Sequence, residues 1–434
     1  MTTPTPLALN DGQNAAADGF FQFLFDKTPE LIISGPGGVG KTFLMGNLID
    51  EIIPRYHTMC KLTGIDSQYN EVAMTSTTNK AAEVLSVATG RPTQTIHSFL
   101  GLKVKDNYKT GKSELVKTTS WSIHHNKIIF VDEASMIDND LLTLLRESTC
   151  NCKIVFVGDH CQLSPIQEAI SPIYRQRLPF YELTEQMRTG VPELQAVNLQ
   201  LRRTVETGEF QPIKIYPGII DHLSPDQMES EINTIFANDA NARILAYTNQ
   251  RVVAYNDHIR QIRNLPPTYT LGETLINNTA IPAPGGFISV EAEVKIVEMD
   301  LVTEQYAIDE DEGVYLTVRY VSLEDNYGGR YNRIPLPEDR EHFNALVKYY
   351  QRLKKWFYYY KLKNTFPDLR PREAATVHKA QGSTYDTVFV DVGNLSTCHN
   401  PNQAARLLYV AFSRARSRVV LYGELADKYG GLIH

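Results

Sequence analysis

Residues 31–44, LIISGPGGVGKTFL, constrain this chain more than any other stretch, because a short apolar run, a glycine-rich turn and a helix start follow one another without a break. Gly35, Gly40, Lys41 and Thr42 satisfy the spacing G-x-x-x-x-G-K-[ST], and Leu31, Ile32 and Ile33 supply the preceding strand that a phosphate-binding loop needs. Glycines let such a loop turn its backbone N–H groups inward, and the helix behind it adds unpaired N–H groups and the positive end of its dipole. The run Gly35-Pro36-Gly37-Gly38-Val39-Gly40 is therefore expected to cradle phosphates, with Lys41 reaching the β- and γ-phosphates and Thr42 on Mg²⁺. The competing reading is an ordinary glycine turn between a strand and a helix.

Around this loop the chain alternates strands and helices. Residues 69–75 (YNEVAMT), 127–131 (KIIFV) and 153–157 (KIVFV) read as strands, and 78–87 and 141–145 as helices. A helix over 9–25, capped by Asn10 or Asp11, precedes the loop. That alternation predicts a parallel sheet covered on both faces. A second α/β segment starts near 243 (RILAYTN) and resumes at 376, with strands at 387–392 and 418–422. At 434 residues one core does not suffice, so two or more packed domains are expected.

Two insertions break the rhythm. Residues 102–117 read as a polar hairpin turning at Asn107-Tyr108-Lys109-Thr110-Gly111, with five lysines against two acids. Residues 264–368 split the second sheet; 291–299 and 314–323 alternate as strands, which suggests a small antiparallel barrel. Within it, 344–365 contains no acidic residue and interleaves lysines with aromatics. Leu346, Tyr350, Leu353, Phe357 and Tyr360 recur at helical spacing, so packing is favoured over base stacking, and the segment reads as one structural helix beside a nucleic-acid channel.

Net charge, −7, argues mildly against a protein that coats nucleic acid, although it leaves a local groove open. Five cysteines without C-x-x-C spacing read as free thiols in a reducing compartment. The amino terminus lacks a basic and an apolar signal region, and no run approaches a membrane span, so a cytoplasmic protein is expected.

The chemistry gathers around two carboxylates. Asp132 and Glu133 follow KIIFV, so they emerge at the carboxyl end of a strand, where open α/β sheets bind ligands. Asp132 is placed to hold Mg²⁺, and Glu133 to deprotonate an attacking water. Residues 154–165 (IVFVGDHCQLSP) deliver Gln162 beside them, either to sense a γ-phosphate or as part of a polar loop. Arg188 and Arg414 are the candidate clamps for the charge of phosphoryl transfer; a lone exposed arginine is more often only solvated.

Taken together these stretches resemble superfamily-one helicases of the RecD-like, 5′-to-3′ class, over nearly the whole chain. Residues 35–42, 131–135, 158–165, 183–188, 376–382 and 408–414 resemble motifs I to VI. The resemblance implies an α/β fold of two RecA-like domains: 1–190, carrying a pin at about 97–120, and 191–263 with 369–434, into which 264–368 inserts as an SH3-like barrel plus helices. It implies ATP and Mg²⁺ as cofactors, Gln13 as the adenine reader and Gly382 beside the nucleotide. It makes Arg188 and Arg414 the γ-phosphate arginines, and Lys41, Asp132, Glu133 and Gln162 their catalytic companions. Single-stranded DNA would contact Ser76, Thr78, Lys80 and His97 in the first domain, then Thr376, His378 and Lys379 in the second. Thr78 could equally be a helix cap, and Tyr108 either a base-stacking pin residue or a surface tyrosine. Expected partners are single-stranded and forked DNA and single-strand-binding or replication proteins, with the chain itself a monomer. A P-loop phosphotransferase, an ATP-gated clamp and a motor subunit of a nuclease complex are the competing functions.

Overall fold

The runs 127–131 and 153–157 lie side by side at the centre of a six-stranded sheet, as Lys127–Asp132 and Lys153–Gly158. The computed structural model describes residues 8–434 except 166, 167, 169, 186–189, 238–240, 267, 284, 285 and 327. Across the sheet the order is Phe180–Glu182, Glu30–Ser34, Lys153–Gly158, Lys127–Asp132, Glu71–Ser76 and Thr93–Thr95, and every pair is parallel. The two central strands are buried almost throughout, so both faces demand apolar side chains and the sequence shows runs instead of alternation. One face packs on Phe20, Leu44 and Tyr56, the other on Leu142, Leu145 and Ile173. With all strands running one way, the loops after Ser34, Asp132 and Gly158 open at one edge.

A second parallel sheet has the order Ile220–Leu223, Ala415–Tyr422, Tyr385–Asp391, Ala242–Ala246 and Ala374–Thr376. Its first strand escapes a sequence reading because only Ile220 of its four residues is fully buried. Helix Pro401–Phe412 lies against helix Pro192–Thr207, and both bury apolar stripes in this domain's core.

The insertion is an antiparallel sheet, ordered Glu304–Asp309, Val314–Asp325, Glu293–Met299, Thr274–Asn277 and Leu369–Pro371, with Arg330–Pro337 also pairing Val314–Asp325. That long strand serves three partners and shifts register against each, which wraps the sheet around two small cores. Because Leu369–Pro371 pairs with Thr274–Asn277, the insertion's sheet runs past the expected boundary at 368, and the second parallel sheet resumes at Ala374.

One expectation fails outright. Residues 344–365 are not one helix but two, Arg340–Arg352 and Trp356–Thr365, separated where Lys354 takes a left-handed φ of 55°. The break destroys the common stripe: Tyr350 and Tyr360 are buried, whereas Leu353 and Phe357 face solvent, Phe357 at 62%. The hairpin is found as expected, Leu102–Asn107 against Lys112–Lys117. Among the described residues no helix is long and apolar enough to cross a membrane, and all five cysteines are free, four of them buried.

Candidate functional site

The phosphate loop is shaped by its glycines and by a neighbouring strand. Gly38 and Gly40 adopt φ of 89° and 78°, a region that costs other residues strain, and Gly40 caps helix Lys41–Asn47. Gly35 is required for space: a Cβ there would lie 2.5 Å from the Leu183 carbonyl oxygen. Lys41 Nζ donates to the carbonyl oxygens of Gly35 (2.7 Å) and Pro36 (2.9 Å), so the ammonium is already curled over the cradle that phosphate oxygens would fill. Thr42 follows it at the helix start.

Gln13, the expected adenine reader, is buried beside the phosphate loop. Its amide donates to Val39 O (3.2 Å) and accepts from Asn10 N (3.1 Å), completing a capping box on helix Asp11–Phe25. It therefore braces the phosphate loop, and its amide keeps a second N–H and a second lone pair for a ligand.

Asp132 and Glu133 emerge together at the sheet edge. Burial first, then the adjacent Glu133 carboxylate, push Asp132 up to about 7, with Lys41 acting the other way. Glu133 has a φ of 52°, a strained value for a non-glycine residue that aims its side chain out of the strand direction toward the second domain. There Gln381 Nε2 donates to Glu133 Oε2 and to Ser135 Oγ, both at 3.3 Å. Gly382 lies so close that a Cβ would stand 3.7 Å from Glu133 Oε1.

Arg414 completes this wall. Only 1% exposed, its guanidinium donates to Val410 O (3.1 Å), Ser383 O (3.2 Å) and Ser413 Oγ (2.8 Å). Among the described residues it has no carboxylate partner within bonding distance, and burial lowers its pKa while Glu133 opposes that. A buried cation satisfied only by neutral oxygens is costly, and an anion arriving between the domains would relieve it. Arg188, the other expected arginine, lies outside the described residues, as does half of its motif.

A second network ties the domains together. Asp159, fully buried, accepts from Arg202 Nη1 (2.6 Å) and Tyr409 Oη (2.7 Å). Burial alone would raise this carboxyl; Arg202, then Lys41, and the Tyr409 hydroxyl outweigh it and hold Asp159 below the usual carboxylate range. Arg406, on the helix that ends beside Arg414, donates to His160 O (2.6 Å) and Gln162 O (2.5 Å). Gln162 is buried with an unpartnered Oε1, fit for a hydrogen bond that a ligand or its water would supply.

The expected nucleic-acid residues divide. Lys80, Thr376 and Lys379 line one cleft between the two parallel-sheet domains and the insertion. Thr78 is exposed and caps helix Asn79–Thr89 through Ala81 N, so its bland reading holds whatever else it does. Ser76 is enclosed, its hydroxyl donating to Asp132 O at 3.4 Å, because Glu71–Ser76 is an interior strand. His97 is half-buried and His378 exposed at its surface; desolvation lowers both pKa values, keeping the rings neutral near pH 7. Tyr108, 51% exposed, sits at the hairpin tip 5.2 Å edge-on from Tyr360, with Phe357 beyond. Gly111 of the same turn is pressed to Trp356, where a Cβ would meet the ring at 2.4 Å, and Asn364 Nδ2 donates to Asp106 at 2.9 Å. The tip thus rests on helix Trp356–Thr365.

Sequence reasoning missed Gln381, Arg202, Arg406 and Tyr409 as individual residues. A signal existed for Arg202, which falls four residues after buried Asn198 on an otherwise apolar stripe, and for Arg406, a lone charge inside AARLLYVAF.

Residues 8–214 match the AAA domain family and residues 373–422 the UvrD-like helicase C-terminal domain. The chain is 23% identical to the ATP-dependent DNA helicase dda of Enterobacteria phage T4, over 94% of this chain and 98% of that protein. It is 24% identical to the uncharacterized protein R530 of Acanthamoeba polyphaga mimivirus, over 94% and 99%. Among solved structures, one of Pif1 helicase, from work on unwinding at forked duplex DNA by two coordinating Pif1 helicases, superposes with a TM-score of 0.51 at 15% identity, over 99% and 95% of the two chains. At that identity it speaks to the fold alone. With matches in both parallel-sheet domains and a full-length helicase relative, the chain belongs to the superfamily-one helicases of the Pif1/RecD-like type.

Proposed function

We propose that the protein is an ATP-dependent DNA helicase that moves 5′ to 3′ along single-stranded DNA and separates the duplex ahead. The observation that carries this reading is Arg414: a buried, anion-less guanidinium on one domain, beside the Glu133 of the other, next to a cleft in which Lys80 and Lys379 meet. ATP would fit the loop 35–42, its γ-phosphate drawing Lys41 off the carbonyl oxygens of Gly35 and Pro36. Mg²⁺, when bound to Thr42 and Asp132, would offset phosphate charge. Glu133 would take the proton of the attacking water, Gln381 would hold that carboxylate in place, and Arg414 would stabilise the charge on the transferring phosphoryl group. Closure driven by the bound anion would shift Lys379 relative to Lys80, and with them the DNA backbone.

A clamp that binds DNA without hydrolysis is less well supported, since it has no use for Glu133. A subunit of a nuclease complex is also less well supported, because RecD of Buchnera aphidicola aligns with only 18% of this chain. We further infer a monomer working in the cytoplasm, the host's if the chain is viral, on single-stranded and forked DNA alongside single-strand-binding or replication proteins.

Single-stranded DNA is expected to stimulate ATP hydrolysis by the full chain, and Lys41→Ala to abolish both basal and stimulated turnover. Turnover indifferent to DNA would sink the motor reading. Unwinding of duplexes with a 5′ tail but not a 3′ tail is the expected polarity, and the reverse would refute it.

The hairpin 102–117 we read as the strand-separating pin, steadied by Trp356. Gly111→Val, which forces the turn off that ring, is expected to depress unwinding several-fold more than DNA-stimulated ATPase. Equal losses, in this variant and in Tyr108→Ala, would remove the pin assignment.

A further inference from the structure

An acid stands in the groove where a polyanion is to run. Lys80, Lys379, Arg370, Asn278 and Glu291 line a cavity of about 100 Å³ between the two parallel-sheet domains and the insertion. A neighbouring cavity of about 320 Å³ shares Lys80 and Glu291 and adds Thr95 and Ser98 of the first domain. Glu291 and Lys80 therefore line both cavities. Glu293, close by, is neutralised by Arg372 at 3.2 Å. Glu291 makes no ion pair of its own among the described residues; Lys379 and Lys80 are the cations that act on its carboxyl, against burial, which raises it.

The position is built. Glu291 has a φ of 65°, a conformation that suits glycine and strains a glutamate. It is held there by the bond from its N–H to Asn277 O (2.6 Å) and by the buried Asn277 amide, which donates to Ser289 O (3.0 Å) and Thr279 O (2.6 Å). The next residue, Asn278, accepts from Lys379 Nζ. Strain retained at a rigid turn, with the acid delivered to a cationic groove, points to a role for the charge.

Resting on the helicase reading, we propose that Glu291 is a tethered competitor of the DNA backbone. In the free chain its carboxylate shares one groove with Lys379 and with Lys80, which Glu83 also holds at 2.9 Å; an incoming phosphate takes over both lysines against it. A motor must release phosphates at every step, and a resident anion weakens the grip and speeds that release. Phosphate contacts of this kind set affinity without reading sequence.

The test is single-stranded DNA affinity of the full chain, measured by anisotropy with an oligothymidylate at low salt. Glu291→Gln, which removes charge and keeps length, is expected to bind about three- to thirtyfold tighter, with slower dissociation. Glu291→Gly, which also relieves the backbone, is expected to match it. In a Lys379→Met background the gain should shrink markedly, because one of the two contested cations is gone. Unchanged or weaker binding by Glu291→Gln overturns the proposal, as does tightening by Glu291→Gly alone or an undiminished gain without Lys379. DNA-independent ATP turnover equal to wild type certifies the fold of each Glu291 variant. Failure of the wild-type chain to bind single strands would overturn the helicase reading itself, a result distinct from wild-type binding with an unaltered Glu291→Gln.

Discussion

Arg414→Ala is expected to lower DNA-stimulated ATP turnover by about 10³- to 10⁵-fold, the range over which a phosphoryl-transfer arginine acts. The side chain is buried, holds only neutral oxygens, and lies across the cleft from Glu133, so its charge has no visible structural purpose. Lysine should not rescue it, because a compact ammonium cannot keep the bonds to Val410, Ser383 and Ser413 and also present a fork to phosphate. Arg414→Met separates chemistry from architecture. It keeps most of the volume and deletes an uncompensated buried charge, a change that is usually neutral or stabilising, so turnover should collapse while the melting temperature holds or rises. DNA binding without nucleotide should be unaffected. A loss of turnover below tenfold in both variants would remove Arg414 from the site.

Glu133→Gln is expected to cost about 10²- to 10⁴-fold in turnover, the usual contribution of a positioned general base, with nucleotide binding retained. The amide has the size of the carboxylate and can still accept from Gln381, so the strained turn at φ 52° and the cross-cleft contact should survive. Pre-steady-state measurements should therefore find ATP bound and unhydrolysed, and the protein arrested on single-stranded DNA. If the variant keeps more than a tenth of wild-type turnover, another group is the base. Gln381→Ala should show a smaller loss, since it orients the carboxylate and takes no proton.

The strands of both parallel sheets were legible wherever they are buried on two faces, because burial on both sides leaves no freedom for polar residues. Ile220–Leu223, at a sheet edge, carried no such run. The helix pair 340–365 was misread because periodicity reports where a face lies and not whether the backbone stays helical; one left-handed residue, Lys354, cancelled the stripe. Ser76 and Gln13 illustrate a different limit. Motif spacing specified the right residue types, but side-chain direction depends on the neighbours: Ser76 is hemmed in by two strands, and the bonds of Gln13 to Val39 and Asn10 appear only in the fold.

The sequence by itself determined the phosphate loop, the carboxylate pair beyond its strand, and the existence of two α/β units with inserted β-structure, because those follow from short-range patterns of glycine, charge and apolar burial. Only the tertiary structure decided which residues meet across the cleft: Arg414 and Gln381 opposite Glu133, Arg406 on the Gln162 loop, the hairpin tip on Trp356, Glu291 in one cavity with Lys80 and Lys379. Those meetings join residues from separate domains, where chain spacing carries no information and the balance of packing and desolvation sets every distance.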